Sequence, residues 1–294
     1  MRERPNRTVS KTVVGVRPPW VQIPLPPQKR WQQQKQLCQH LVVEHLDNCD
    51  LLGDEVKCLG GLVEGAPLDV PVASCPGWSL GDLVGHLGMV HRWAEYLVRH
   101  RAAERIPSEK MGLDGPDTSA DWLIAGGERL VTTLRSADPD APMWAWGPDH
   151  HVRFWSRRQL HETLVHRMDA ELALGRLPQA GPRVAGDAVD EFLVNLPEAV
   201  YFSPKVKNLR GEGTRLAFWA EDTDCTWSVT LRPQGFEVVG GPSASEAKPD
   251  AMLSAPAVTL LLVLYRRLPI ETAGTTVAGN RAWLEMWLAN SALE

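Results

Sequence analysis

Glu162 and His166 are side chains of the types that ligate metals, and they lie four residues apart in a predicted helix. At about 100° per residue they project about 40° apart on one helical face, whereas His161 lies about 140° from His166 and is predicted to face elsewhere. Continuing the shared face along the helix adds Trp155, Asp169 and Ala173. A tryptophan and an alanine on this face indicate that it is directed inward. A buried carboxylate needs a partner, and a divalent cation is one such partner.

His86 is the third candidate ligand, in a helix that follows a predicted N-cap at Ser79. The side chains that share its face are Leu83, Val90, Trp93 and Leu97. His86 is therefore predicted to point into a helical bundle, while His91, about 140° away, faces elsewhere. Two histidines and one glutamate with vacant positions form the ligand set of a catalytic zinc site. The alternatives are an intrahelical pair for the isolated Glu-x-x-x-His and a hydrogen-bonded core histidine for His86.

Asp82 and Asp169 are weaker candidates, each one turn away from a proposed ligand. Asp82 could orient the imidazole of His86, and the alternative is a helix-capping carboxylate. Asp169 is placed in the same way relative to His166. The arginines that could bind substrate carboxylates, or else form ordinary ion pairs, are Arg92, Arg153 and Arg167. Cys75 precedes a Pro-Gly pair and is predicted to serve packing and turn formation.

The periodicity of apolar residues predicts which elements position these side chains. Helices are predicted at 37–63, 80–103, 119–135, 154–174 and 185–196, and later at 257–267 and 280–288. Strands are predicted at 215–220, 226–231 and 236–239. The predicted fold class is α+β, with a disordered basic, Pro-rich arm over 1–36, a four-helix metal-binding bundle over 37–180 and a smaller α+β domain over 183–294.

The composition excludes several classes of protein. A net charge of −5 leaves no electrostatic footprint for nucleic acid. No apolar run approaches the roughly 20 residues that cross a bilayer. The five cysteines form no C-x-x-C pair, which argues against both a disulfide framework and a cysteine-ligated zinc site. We therefore expect a cytoplasmic protein, monomeric or homodimeric, with neither nucleic acid nor membrane as a partner.

Two long motifs resemble a known family. They are Ser-Cys-Pro-Gly-Trp-Ser-Leu-Gly-Asp-Leu-Val-Gly-His-Leu-Gly-Met-Val-His-Arg-Trp, ending at Trp93, and Phe-Trp-Ser-Arg-Arg-Gln-Leu-His-Glu-Thr-Leu-Val-His-Arg-Met-Asp, ending at Asp169. Both closely resemble the mycothiol-dependent maleylpyruvate isomerase family of actinobacteria, whose N-terminal domain belongs to the DinB-like metalloenzymes. The segments 225–233 and 260–269 are similar to its C-terminal domain, which has a fold like that of sterol carrier proteins. The resemblance covers about 37–290, and the family's ligands fall on His86, Glu162 and His166.

The resemblance implies an enzyme that uses a divalent metal, with zinc expected, together with mycothiol. A metal-bound thiolate would add to an electrophilic small molecule. If the thiol leaves again after rotation about the resulting single bond, the reaction is a cis–trans isomerisation, and if it stays the reaction is an S-transfer. Two alternatives remain open at this stage: a non-catalytic, metal-containing protein that binds a small molecule or lipid, and a metal- or redox-responsive regulatory protein.

Overall fold

The computed structural model describes residues 43–112, 115–240 and 248–292. The predicted basic arm lies outside the described residues, as do positions 37–42 of the first predicted helix. Four long helices come first: α1 His45–Val63, α2 Leu80–His100, α3 Ala120–Ser136 and α4 Val152–Ala173. Helix α1 packs on α3 and α4, and α2 packs on the same two helices. The predicted bundle of four helices is therefore present.

Local signals in the sequence set the ends of these helices. Helix α3 begins after Ser119, whose hydroxyl accepts a hydrogen bond from the Trp122 amide at 3.3 Å. Helix α2 ends at His100, earlier than the prediction, because Arg101 adopts a left-handed conformation with φ of 46°. The Arg101 amide then bonds to the Val98 carbonyl and closes the last turn.

The second half of the chain combines helices with one sheet. Its helices are α5 Pro182–Asn195, α6 Ala257–Leu264 and α7 Arg281–Asn290, and its strands are β1 Arg215–Ala220, β2 Cys225–Arg232, β3 Gly235–Gly240, β4 Ala251–Ala255 and β5 Thr276–Gly279. Short 3₁₀ turns occupy Ser108–Met111, Leu196–Tyr201 and Pro204–Asn208. The strand order is β3-β2-β1-β4-β5, with β1 and β4 parallel and the other pairs antiparallel. The α+β fold class is confirmed, although β4 and β5 were not predicted.

Helix α4 belongs to both halves of the molecule. Seventeen of its 22 residues are buried. Leu164, Val165 and Met168 join the core formed by α5, α6 and the sheet, whereas Trp155 and Leu160 join the core of the bundle. A helix covered on several sides presents its polar side chains to protein groups rather than to water, so each of them needs a defined partner.

None of the helices in the described part of the chain combines the length and the apolar composition required to cross a membrane.

Candidate metal centre

His86 on α2 and Glu162 and His166 on α4 converge at one point. Glu162 Oε1 lies 3.5 Å from His86 Nε2 and 3.4 Å from His166 Nε2. One ligand atom from each of the three residues lies within 4.8 Å of the others. Ligands at zinc–ligand distances of about 2.0–2.2 Å in a tetrahedral site are about 3.3–3.6 Å apart. The two measured separations have this length, so the donor set fits a small divalent cation.

The position of His86 follows from how α2 begins. The Ser79 hydroxyl accepts from the Asp82 amide at 3.2 Å, and the Asp82 carboxylate accepts from the Ser79 amide at 2.8 Å. This reciprocal capping box starts the helix at Leu80, nearly two turns before His86. Of the two roles considered for Asp82, the structure therefore has the capping role.

Trp78 forms one wall of the candidate centre. The loop before α2 turns back on itself at Gly77, where φ is +87°, and the Val72 amide bonds to the Trp78 carbonyl at 2.9 Å. Only glycine adopts such a φ at little cost. The turn brings the Trp78 ring to 4.7 Å from the His86 ring and 6.1 Å from the His166 ring, measured between centroids. Trp78 therefore shields both imidazoles on this side.

Asp169 fixes the orientation of His166. Its carboxylate lies 3.0 Å from His166 Nδ1, so Nδ1–H donates to it and the Nε2 atom is directed at Glu162. Asp169 also accepts two hydrogen bonds of 2.9 Å from Arg267, which follows α6. The orienting role considered for Asp169 is thus present. Arg267 was not predicted, because it lies far along the chain and carries no local motif.

Groups of opposite charge lie side by side in this site. Burial would lower the pKa of His166, but hydrogen bonds to Asp169, Cys75 and Glu162 outweigh burial and raise this pKa well above its ordinary value. Burial would likewise raise the pKa of Glu162, yet Arg158 and the two histidines hold that pKa well below its ordinary value. Glu162 is therefore ionised, and its Oε1 atom faces two imidazoles.

Cys75 marks a second possible group of ligands, formed with His166 and Asp169. Its sulfur lies 3.6 Å from Asp169 Oδ2 and 3.7 Å from Arg267 Nη2. A cation among these three would have to displace the guanidinium of Arg267 from Asp169 and the proton from His166 Nδ1. A cation held by His86, Glu162 and His166 would leave the Arg267–Asp169 pair and the Nδ1 proton in place, so this group is the better candidate.

Comparisons with known proteins agree with the sequence motifs. One family model, the mycothiol maleylpyruvate isomerase N-terminal domain, matches residues 49–171, and a second, the MDMPI C-terminal domain, matches residues 183–286. The chain belongs to the mycothiol-dependent maleylpyruvate isomerase family. The family resemblance inferred from the sequence is confirmed, and the three converging side chains lie within the first matched region.

Two solved structures of a mycothiol-dependent maleylpyruvate isomerase also match. The histidine-to-alanine variant has 12% identity and a TM-score of 0.53, and the unmodified protein has 13% identity and a TM-score of 0.50. Each match covers 80% of this chain and 93% of the other. At these identities the likeness concerns the fold. Among curated proteins, none matches the chain significantly.

The other histidines and arginines considered in this maleylpyruvate isomerase family member have partners outside the group of three ligands. His91 Nε2 bonds to the Thr163 hydroxyl at 2.9 Å, and His161 Nε2 bonds to Asp187 at 2.7 Å, so both histidines face elsewhere as predicted. The three arginines considered for substrate binding all have protein partners: Arg92 packs on Trp122, Arg153 pairs with Asp140 and Asp149, and Arg167 pairs with Glu55 and Glu171.

We expect the buried side chain of His91 to lower the stability of the folded protein at acidic pH. Complete burial lowers its pKa from 6.5 to about 3. Below pH 6.5 the unfolded chain binds a proton at His91 and the folded chain does not. The free energy of unfolding therefore falls by up to about 1.4 kcal/mol for each pH unit of acidification. We expect His91→Gln, in metal-free protein, to flatten the fall in unfolding free energy between pH 6.5 and 5, measured by urea denaturation. The exposed His100→Gln should keep the wild-type slope, and equal slopes in all three proteins would refute the assignment.

Proposed function

We propose that this protein is a divalent-metal-dependent enzyme that uses mycothiol to attack an electrophilic small molecule. The observation that carries the proposal is the His₂Glu group, in which His166 and Glu162 each have their second polar atom held by another protein group. His166 Nδ1 is held by Asp169, and Glu162 Oε2 accepts from Arg158. Zinc is the cation that this set of ligands favours, with an open position for an exogenous ligand.

Exposure of the three ligands suggests the direction of entry. The side chain of His86 is 36% exposed, that of Glu162 21% and that of His166 10%. Solvent and substrate would therefore reach the centre on the side of His86, whereas His166 lies on its buried side. A divalent cation at this point would favour the thiolate form of an incoming thiol. The side chains would hold the cation, and the Trp78 ring would restrict access of water beside them.

The reaction would be either cis–trans isomerisation or S-transfer. Both begin with addition of the thiolate to an electron-poor carbon, and they differ in whether the thiol leaves after bond rotation. The family membership favours isomerisation of a cis-enedioate of the maleylpyruvate type. We place this activity in the cytoplasm, where low-molecular-weight thiols are kept reduced.

The experiment is a turnover assay with purified protein loaded with zinc. Mycothiol is supplied with maleylpyruvate in one series and with a fluorogenic alkylating electrophile in another, with parallel samples that lack thiol or contain a chelator. We expect conversion of one of the two substrates only when metal and thiol are both present. Protein that holds zinc but converts neither substrate would contradict the enzyme proposal and favour a non-catalytic metal-containing binding protein.

A further inference from the structure

Glu162 meets the other two ligands through a single oxygen. Its Oε1 atom faces the Nε2 atoms of His86 and His166, at 3.5 and 3.4 Å. Its Oε2 atom accepts a hydrogen bond from Arg158 Nη2. The two oxygens of one carboxylate therefore have separate partners, and only Oε1 is directed at the point where a cation would bind.

Arg158 is itself held by the second half of the chain. Its Nη1 atom donates to both oxygens of Glu191 on α5, at 2.8 and 3.0 Å. The side chain of Arg158 is 6% exposed and that of Glu191 is 2% exposed. Asn195 donates to Glu191 at 2.7 Å and so holds the Glu191 carboxylate in place beside Arg158. The guanidinium is planar, so two carboxylates bound to its two terminal nitrogens have a defined mutual orientation.

We propose that Arg158, anchored by Glu191, is a positioning residue that keeps Glu162 bound to the cation through Oε1 alone. This inference rests on the proposed function, because it assumes the cation held by His86, Glu162 and His166. The hydrogen bond to Oε2 disfavours two-oxygen binding by Glu162, and one-oxygen binding leaves one coordination position of a tetrahedral cation for the incoming thiol. Groups that orient metal ligands in this way typically change metal affinity by 10–100-fold when removed.

The test must separate orientation from charge. Removing Arg158 alone would delete a positive charge beside the cation and would by itself favour metal binding. The double variant Arg158→Met with Glu191→Leu leaves the local net charge unchanged, and replacing a buried ion pair by apolar residues is often neutral for stability. The matched control is Arg99→Met with Glu95→Leu, which removes an ion pair on α2, the helix that carries His86, without touching Glu162.

The readouts are the zinc dissociation constant, from competition with a chelator, and the visible absorption spectrum of the cobalt(II)-loaded protein, which reports coordination geometry. We expect the Arg158/Glu191 variant to bind zinc about 10–100-fold more weakly, with an altered cobalt spectrum. The Arg99/Glu95 variant should stay within about twofold of wild type. Unchanged affinity and spectrum in the first variant, or equal changes in both, would overturn the inference.

Two further results keep the interpretation clear. If the double variant does not fold, Arg158→Lys provides the test, since it retains the charge but lacks the planar pair of donors. Weaker zinc binding with an altered cobalt spectrum supports positioning, and wild-type values overturn it. Wild-type protein that binds neither metal contradicts the metal centre itself. Normal wild-type binding with an unaffected Arg158 variant contradicts only the positioning role.

Discussion

Replacing His166 by alanine is expected to abolish stoichiometric metal binding. His166 is the innermost of the three ligands and is oriented by Asp169, so the remaining pair, His86 and Glu162, would hold a cation with only two protein atoms. Loss of an orienting group alone costs about 10–100-fold in affinity, and loss of the ligand itself should cost more. Elemental analysis after dialysis should find about one zinc per wild-type chain and almost none in the variant.

The thermal response to zinc provides a second measurement of the same prediction. A cation present at 1,000 times its dissociation constant adds about 4 kcal/mol to stability. Zinc should therefore raise the melting temperature of wild type and leave that of His166→Ala unchanged. His100→Ala is the control, because His100 lies at the exposed end of α2 and bonds to the Tyr96 carbonyl. Equal metal content in wild type and His166→Ala would contradict the assignment of His166 as a metal ligand.

Asp187→Ala is expected to cause the largest loss of stability. Asp187 is fully buried on α5, and its carboxylate accepts from Arg157 and lies 2.7 Å from His161 Nε2, both on α4. Removing it leaves the partly buried guanidinium of Arg157 with Asp190 as its remaining acid, and it leaves the buried imidazole of His161 without its partner. Breaking a buried pair on one side costs about 3–5 kcal/mol. Urea denaturation at pH 7 should show a loss of this size.

The exposed pair of Asp140 with Arg153 serves as the control for this prediction. Asp140 is 76% exposed, so Asp140→Ala should cost less than about 1 kcal/mol. Burial would raise the pKa of Asp187, but Arg157 and His161 outweigh burial and lower it from 3.8. The contribution of Asp187 is therefore fully present above pH 3.8 and shrinks as the pH falls through the lower folded value. Equal losses in the two alanine variants would contradict the proposed importance of burial.

Helical periodicity and the family resemblance together led to the prediction that these three side chains lie near one another. Glu162 and His166 share a face because they lie four residues apart, and the Ser79 cap set the register of His86. The same geometry predicted that His91 and His161 face away. Arg158, Glu191 and Arg267 could not be found in this way, because their roles depend on packing of α4 against distant segments. Arginine is common on helix surfaces, so its presence in the sequence carries no signal of burial.

Strands β4 and β5 were not predicted, because their sequences lack the pattern that identifies a strand. In β4 (Ala251–Ala255) four of the five residues are buried and only Met252 is partly exposed, so the alternation that marks a half-exposed strand is absent. It lies between β1 and β5, and its partner β1 is more than 30 positions earlier. Strand β5 has only four residues. Such elements form because their neighbours in the sheet supply hydrogen bonds, and this information is not local.

Helix α4 contributes side chains to the cores of both halves of the molecule. This limits where the chain can be truncated or joined to part of a relative. A fragment ending before α5 would leave the charged groups of α4 facing water or one another where Glu191, Asp187 and Arg267 now stand. A chimaera that joins the bundle of one relative to the sheet of another would need matching residues at these contacts. The two halves should therefore change together during divergence, and a fusion or split at the segment after α4 should yield insoluble protein.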